Sequence, residues 1–282
     1  MKDKIFKMLL VVVSSLIILF TAGIIYALVS QSINAFSHFG IADFISSTEW
    51  DPVNDKYGAL PFIVGTLMTA ILALTMCIPF SLAVMLFNGE FFKGTKISFY
   101  FSSVVDLLAG IPSIVYGLWG FYVIRPYIIN MGINSQGLGI LLSSVVLAIM
   151  IIPYASSLST EFISMVPNIL KEGAYSLGAT RYEVVRTVHF PVANSGIIAS
   201  YILAFGRALG ETMAVTMLIG NSNNIPLGLR DTGNTMASVI ANQFGEAGGL
   251  KLSSLFAIGL LLFLITASVN FIAKYIIKII NK

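Results

Sequence analysis

The feature that most constrains this sequence is the recurrence of long apolar intervals with few or no charged residues. An α-helix needs about 20 mainly apolar residues to cross a hydrocarbon core of about 30 Å. Six intervals of about this length lie at residues 8–30, 60–87, 97–124, 138–160, 195–220 and 252–272. A soluble domain has roughly 25% charged residues, whereas this chain has 10%. The sequence therefore predicts an all-α membrane protein with about six transmembrane helices.

Basic residues are divided unequally between the two sides that six spans define. If the amino terminus is cytoplasmic, four Lys and Arg residues fall outside and 11 of the 16 fall inside. Cytoplasmic loops of membrane proteins are enriched in these residues. We therefore expect a multi-pass protein of the cytoplasmic (inner) membrane with both termini in the cytoplasm. The inside residues are Lys2, Lys4, Lys7, Lys93, Lys96, Lys171, Arg181, Arg186, Lys274, Lys278 and Lys282.

Composition and motifs argue against several classes of function. The net charge of +3 is too small to predict nucleic-acid binding. The one cysteine, Cys77, cannot build a disulfide framework or a cysteine metal cluster. The sequence lacks a Gly-rich loop followed by Lys-Ser/Thr, which binds ATP in many proteins. We therefore expect no enzyme activity, no metal and no cofactor on this chain, and an energy source on another chain.

Two regions are predicted along the chain. Residues 1–59 contain the first span and an outer loop that is rich in aromatic side chains. Residues 60–282 form the transmembrane core, with a cytoplasmic loop at about residues 161–194. Aromatic side chains favour the membrane–water boundary, so we expect the outer loop to lie there. The loop carries Phe36, Phe39, Phe44, Ile45 and Trp50.

The cytoplasmic loop has the pattern of two helices joined by a turn. Pro167 begins the first helix, Gly178 lies at the break, and Pro191 ends the second helix. Apolar residues recur at helical spacing in both halves. A short helical projection of this kind can dock into a groove on a soluble partner. The alternative is an ordinary helical hairpin that only connects two spans.

The residues of this loop resemble the EAA loop of ABC importer permeases. That loop has Glu-Ala-Ala, three residues, Gly, nine residues, and Ile-x-Leu-Pro, with mild departures here at three positions. The resemblance implies a MetI-like ABC importer permease fold, in which the loop seats in a cleft of an ATP-binding subunit. The coupling residues that it implies are Glu172, Gly173, Ala174, Gly178, Val188, Phe190 and Pro191.

Three further stretches resemble the PstC-type branch of this family, the phosphate permeases. They are YGALPFIVGTL at residues 57–67, AGIPSIVYGLWG at 109–120 and GRALGETMAVT at 206–216. The resemblance extends over nearly the whole chain. PstA-type, molybdate and sulfate permeases share parts of these stretches, and Trp119 and the Met213-Ala214-Val215 run favour the PstC type. A permease for another oxyanion, molybdate or sulfate, is the alternative.

The resemblance also implies a set of partners. They are a second homologous permease of the PstA type, two ATP-binding subunits of the PstB type, which carry ATP and Mg, and a phosphate-binding protein of the PstS type. The chain itself is expected to contact membrane lipid and no nucleic acid. A secondary transporter driven by an ion gradient is a rival from another class. A sensory role can coexist with transport.

Arg207 and Glu211 are the candidate residues of the substrate pathway. They are four residues apart in the fifth interval, so a continuous helix places them on one face near the middle of the membrane. A charged residue there costs about 2.5–3.5 kcal/mol on insertion scales and is expected to face the protein interior or water. A guanidinium offers a planar fork for phosphate oxygens. We expect Arg207 to line an anion path and Glu211 to tune or gate it. A buried ion pair that only locks helices together is the alternative, and the role of Asp106 stays open.

Overall fold

The computed structural model describes residues 2–280 and is almost entirely helical over that range. Lys282, one of the lysines counted for orientation, lies outside the described residues. A two-stranded antiparallel hairpin, β1 Trp50–Asp51 and β2 Lys56–Tyr57, pairs Trp50 with Tyr57. The helices are α1 Lys2–Phe39, α2 Ile41–Ser46, α3 Leu60–Leu86, α4 Lys96–Gly110, α5 Ser113–Trp119, α6 Arg125–Asn130, α7 Ile140–Ser164, α8 Asn168–Ser176, α9 Arg181–Val184, α10 Phe190–Leu209, α11 Met213–Leu218, α12 Met236–Gln243 and α13 Gly249–Ile280.

The predicted membrane architecture is confirmed in its main features. Five helical stretches of the described chain are long and apolar enough to cross a membrane, and a bent pair raises the number to six. The five correspond to α1, α3, α7, α10 and α13. The second predicted span, residues 60–87, agrees almost residue for residue with α3, whereas α1 and α13 extend well beyond the predicted intervals.

The third predicted span is not one helix. α4 ends at Gly110, and the stretch Ser113–Asn130 continues at an angle of 95° to it. Pro112 lacks a backbone N–H and disfavours helical geometry at the residue before it, and Ile111 is extended, with φ −70° and ψ 128°. Pro79 and Pro153, by contrast, lie inside the continuous helices α3 and α7. Pro112 therefore breaks the third span, whereas Pro79 and Pro153 are accommodated within continuous helices.

The fifth predicted span is also interrupted, and it begins earlier than expected. α10 ends at Leu209, and α11 begins only after the non-helical residues 210–212. At its other end α10 continues back through a π-helical turn, Val185–His189, to α9. Pro191 therefore does not end the second helix of the loop. It lies in the first turn of α10, where a missing N–H costs little because the wide π turn precedes it.

α7 is the central helix of the bundle, and α1 is peripheral. The most apolar stretch of α7 is 67% buried, whereas that of α1 is 0% buried. α1 joins the bundle through its second half, where Ser253 Oγ in α13 donates to Gln31 O at 2.6 Å and accepts from Ala35 N at 3.0 Å. An apolar helix with no covering protein is suited to lipid. The division of the chain at residue 59 stays a prediction.

The aromatic residues of the outer loop pack into the protein. Phe44 and Trp50 are buried. The Trp50 ring lies edge-on to Tyr57 at 4.9 Å and to Phe62 at 5.0 Å, and its Nε1 donates to Gln243 Oε1 at 3.1 Å. The hairpin thus packs its aromatic rings against the start of α3 and the end of α12. The expected position of this loop at the membrane–water boundary stays a prediction.

Candidate transport site and coupling surface

Arg207 lies in the last turn of α10, against the middle of α7. Its guanidinium carbon is 3.9 Å from the centroid of the Tyr154 ring. Tyr154 is ten residues from the carboxyl end of the 25-residue helix α7, about 15 Å along the axis at about 1.5 Å per residue. A guanidinium over an aromatic face is attracted by the negative face of the ring. The contact therefore holds the charge of Arg207 near the middle of α7.

The tyrosine below Arg207 is tied to the break in the third span. Tyr154 Oη donates to Ala109 O at 3.1 Å, and Tyr116 Oη donates to Leu108 O at 2.9 Å. The last carbonyls of a helix have no partner within it, and they are costly to leave unpaired away from water. The Tyr154 hydroxyl satisfies a carbonyl that the break frees, and the Tyr116 hydroxyl adds a second hydrogen bond to Leu108 O, which also accepts from Ile111 N. The break in α4 and the platform under Arg207 are thus parts of one arrangement.

Arg207 is exposed on the surface of this chain and lacks an acidic partner in the described part. The ion pairs found there are Lys56–Glu49, Lys171–Glu90 and His189–Glu90. The alternative of an Arg207–Glu211 pair that locks helices together therefore has no support. A charge at this depth has to face protein or water rather than lipid. The side of the bundle that carries Arg207 is thus suited to a second subunit or to an aqueous path.

Glu211 is placed differently from its prediction. It lies in the break after α10 and not on the same helical face as Arg207. Its Oε1 accepts a hydrogen bond from Ala214 N at 3.3 Å. A carboxylate at this position satisfies a free N–H in the first turn of α11. The prediction of a shared helical face was wrong because α10 ends at Leu209, before Glu211.

The segments that follow the two breaks pack on each other. α5 and α11 approach through Gly117, where an added Cβ would lie 2.8 Å from Met217 Sδ and 3.2 Å from Ala214 Cα. A Cβ at Gly120 would lie 2.6 Å from Val146 Cγ2. Small residues permit such close approach. Gly110 does not share this role, because a Cβ added there would meet no atom of the described residues within 4 Å.

Asp106 lies on α4, below the break. It is exposed and lines a cavity of about 160 Å³ between α3, α4 and α7. Asn88, Ser156 and Thr160 also line this cavity. Most of the residues that line the cavity are polar.

The loop at residues 161–194 has the predicted helix–turn–helix form. Pro167 precedes α8, and Gly178 at the turn has a φ of 87°, a conformation that glycine adopts most readily. A capping box starts α9: Thr180 N donates to Glu183 Oε2 at 2.7 Å, and Glu183 N donates to Thr180 Oγ1 at 3.4 Å. The turn is therefore well defined by local interactions.

The surface of α8 and α9 exposes several large apolar side chains. Leu177 is 91% exposed, Ile169 75% and Tyr182 68%. Glu172 and Gly173 of the recognised motif lie on the same exposed helix. Val188 and Phe190 instead pack into a cluster around the buried Met85, Ile163 and Val166. An exposed apolar patch of this kind is typical of interaction sites. One part of the motif thus lies on this exposed surface, and the other part packs into the bundle.

Sequence reasoning missed a cluster of charged side chains behind this surface. Glu90, at the end of the second span, lies against Lys171 of α8 and His189 of the π turn. A signal was present, because Glu90 is the one acidic residue between Asp55 and Asp106 and follows a long apolar interval. Its partners could not be identified from the sequence, since they are far away along the chain. No three His, Cys, Asp or Glu side chains of the described residues converge as a metal site.

Comparison with known proteins places the chain in a family. Residues 77–282 match the family described as "Binding-protein-dependent transport system inner membrane component". The chain is 41% identical to the "Phosphate transport system permease protein PstC" of Haemophilus influenzae, with 98% of this chain and 93% of that protein covered. It is 40% identical to the protein of the same name from Mesorhizobium japonicum, with 94% and 87% covered.

Solved structures agree with this assignment at the level of the fold. The permease fold of the MetNI methionine ABC transporter, in inward-facing conformations, matches with a TM-score of 0.60 at 16% identity, covering 80% of this chain and 95% of that one. An amino acid ABC transporter matches with a TM-score of 0.52 at 19% identity, covering 77% and 91%. The predicted MetI-like fold is therefore confirmed.

The family assignment also confirms the prediction of a transport component rather than an enzyme. A permease of this kind is one part of an importer that contains other subunits. The chain belongs to the family of inner membrane components of binding-protein-dependent transport systems.

Proposed function

We propose that this chain is the permease subunit of an ATP-driven importer and that its substrate is inorganic phosphate. The observation that carries the proposal is Arg207, an exposed guanidinium held over Tyr154 near the middle of α7. The proposal is further supported by the phosphate transport names of the relatives from Haemophilus influenzae and Mesorhizobium japonicum. A planar fork of donors suits the tetrahedral oxygens of phosphate.

Arg207 lines the anion path in this proposal, and Glu211 tunes it. Tyr154 supports the guanidinium from one side and leaves the opposite side for the anion. The face of the bundle that carries Arg207 meets a second homologous permease of the PstA type, so that the path runs between two chains. Glu211, which caps α11 just beyond the break, adds negative charge near the path and weakens retention of an anion.

The loop at residues 161–194, called the coupling loop from here on, responds to ATP hydrolysis in two partner subunits of the PstB type, which hold ATP and Mg. α8 and α9 seat in a cleft of an ATP-binding subunit, and Leu177 and Ile169 become buried on docking. The residues assigned to coupling are Glu172, Gly173, Ala174, Gly178, Val188, Phe190 and Pro191. Catalysis then belongs to the partner, and this chain converts its movement into rearrangement of the spans.

The chain lies in the cytoplasmic membrane with both termini in the cytoplasm. This orientation is supported by an even number of spans, counting the bent pair as one, which would leave the two ends on the same side. It is also supported by the excess of Lys and Arg on that side. The hairpin of β1 and β2 and the residues around α12 then face outwards, where a phosphate-binding protein of the PstS type delivers its anion.

Reconstitution of the complete importer tests the proposed substrate. The chain is purified with its sister permease, the ATP-binding subunits and the binding protein, and placed in proteoliposomes. We expect ATP-dependent uptake of labelled phosphate. Excess unlabelled phosphate should suppress this uptake, whereas sulfate or molybdate at the same concentration should not. Preferential uptake of sulfate or molybdate would contradict the proposal. Uptake by this chain alone, driven by an ion gradient, would contradict the importer mechanism.

A further inference from the structure

Three buried ionisable side chains lie at the inner end of the bundle, away from the proposed anion path. Lys171 Nζ donates to Glu90 Oε2 at 3.3 Å, and His189 Nε2 lies 2.9 Å from the same oxygen, without the alignment of a full hydrogen bond. The side chains of Glu90, Lys171 and His189 are 13%, 11% and 0% exposed. A buried ion pair often adds little stability compared with apolar packing. Its presence here therefore calls for an explanation beyond stability.

The three residues come from three different parts of the fold. Glu90 belongs to a π-helical turn, Phe87–Phe91, that extends α3; we call this turn the inner junction. Lys171 belongs to α8, the first helix of the coupling loop. His189 ends the second π-helical turn, Val185–His189, just before α10. π turns within α-helices occur frequently at functional sites. One carboxylate thus connects the coupling loop with the inner ends of the second and fifth spans.

Lys171 faces inwards on a helix whose apolar residues face outwards. Lys171 is 9% exposed, whereas its neighbours Ile169 and Leu170 are 75% and 46% exposed. This is the reverse of the usual amphipathic pattern, in which apolar side chains cover the core and charges face water. The attraction of Lys171 to Glu90 therefore determines which face of α8 is turned towards a partner.

The inner junction cannot shift without moving its neighbours. A Cβ added at Gly89 would overlap the Ile163 side chain of α7, so the turn lies directly against that helix. Ser98 Oγ at the start of α4 donates to Asn88 Oδ1 at 3.1 Å. Displacement of Glu90 is therefore passed to α4 and α7, the helices that form the break and the tyrosine platform near Arg207.

We propose that Glu90 is a positioning residue for energy coupling: through Lys171 it orients the docking face of α8, and through the inner junction it passes the movement of α8 to the spans. The inference rests on the proposed coupling role of the loop, and it does not depend on which anion is carried. Glu90 touches neither the anion nor the nucleotide. Removal of the Glu90 carboxylate allows ATP to be hydrolysed with less phosphate carried per ATP.

The test measures the amount of phosphate carried per ATP hydrolysed by the assembled importer in proteoliposomes. Glu90→Gln removes the negative charge at nearly constant side-chain volume. Lys171→Met removes the ion pair between Glu90 and α8 but leaves the contact between Glu90 and His189. We expect the transport ratio to fall about fivefold or more in both, the lower range of coupling effects between sites. Lys171→Arg keeps a positive charge at this position and should retain most of the wild-type ratio of phosphate carried to ATP hydrolysed.

The matched control is Lys96→Met, which removes a lysine that is exposed at the same end of the bundle. It should leave the ratio at the wild-type value. Because the ratio counts only ATP hydrolysed by assembled complexes, a variant that merely folds in lower yield keeps the wild-type ratio. If Glu90→Gln does not assemble, the inference is tested by comparing the transport ratio of Lys171→Met with that of Lys171→Arg. Equal ratios in these two variants would contradict it.

Wild-type ratios in both Glu90→Gln and Lys171→Met, with hydrolysis intact, would overturn the inference and assign the cluster to stability alone. Failure of the wild-type importer to carry phosphate would contradict the proposed substrate instead. The role of Glu90 is then judged from the same ratio with the anion that the wild-type importer does carry.

Discussion

The two sites with charged side chains inside this bundle differ in how their charges are balanced. At the inner junction, Glu90 is buried between Lys171 and His189, and all three side chains are nearly inaccessible. At the middle of the bundle, Arg207 is exposed and is supported by the ring of Tyr154 without an acidic partner in the described chain. The first arrangement joins elements of one chain. The second leaves a charge available to something outside the chain, which is what a path for anions requires.

The comparison predicts that the same kind of substitution will have opposite consequences at the two sites. Removal of a partner from a buried pair leaves an uncompensated charge in the protein. Removal of an exposed guanidinium leaves nothing unpaired and changes only what the surface can bind. Stability and transport should therefore respond separately.

The largest effect is expected for Glu90→Ala. It leaves Lys171 buried without a carboxylate, which typically costs about 3–5 kcal/mol in the free energy of unfolding. Equilibrium unfolding of the purified chain in mixed micelles measures this loss. Lys171→Met in the same background removes the stranded charge and should recover part of the stability. Equal stability of the single and double variants would contradict the description of this site.

Arg207→Ala should abolish most phosphate uptake without lowering stability. Loss of hydrogen bonds between a guanidinium and an anion, about 1.5–3 kcal/mol, corresponds to a fall in uptake of about 10- to 100-fold. Arg207→Lys keeps the charge but loses the planar fork, so its uptake should lie between the two. The measurement is initial uptake by importers matched for assembly. Wild-type uptake in Arg207→Ala would show that the path lies elsewhere.

Tyr154→Phe should have a smaller effect, which separates the two contacts of this residue. The ring that supports Arg207 remains, and the hydrogen bond to Ala109 O is lost, at a cost of about 1 kcal/mol in the free energy of unfolding. Uptake should remain close to wild type. Tyr154→Leu removes the ring as well and should reduce uptake further. If the two variants carry phosphate equally, the contact between the ring and Arg207 has no part in transport.

The smallest effect is expected at Glu211, where capping and charge can be separated. Glu211→Ala removes the acceptor at the start of α11 and should lower stability by about 0.5–1 kcal/mol, in the range of lost helix caps. Glu211→Gln keeps an acceptor oxygen and should retain stability, while the KM for phosphate changes a few-fold because the charge is gone. An unchanged KM in Glu211→Gln would restrict Glu211 to capping and contradict the proposed tuning.

Much of the architecture was accessible from the sequence because hydrophobic length and turn chemistry are local properties. The interval at residues 60–87 predicts α3 almost to the residue, and Gly178 predicts the turn of the coupling loop through its positive φ. The breaks at Pro112 and Gly210 were not predicted as breaks. Whether a proline kinks or ends a membrane helix depends on partners for the freed carbonyls, and here Tyr154 provides one from elsewhere in the chain.

The candidate site divides in the same way. Arg207 could be selected from the sequence because an intramembrane charge is rare and costly at any position in a bundle. Its separation from Glu211, its contact with Tyr154 and its exposure could not, because they depend on where α10 ends and on which helix packs beside it. Glu90 and Lys171 are 81 residues apart. No local pattern connects them.

Membrane spans, a loop that resembles the EAA motif and an arginine among apolar residues can all be identified from the amino-acid sequence. Each depends on the solvation of nearby residues or on a short motif. The positions at which the spans break, and the pairing or exposure of each charge, are evident only in the folded chain. These are contacts between distant segments, and their free energy depends on packing geometry that no single segment contains.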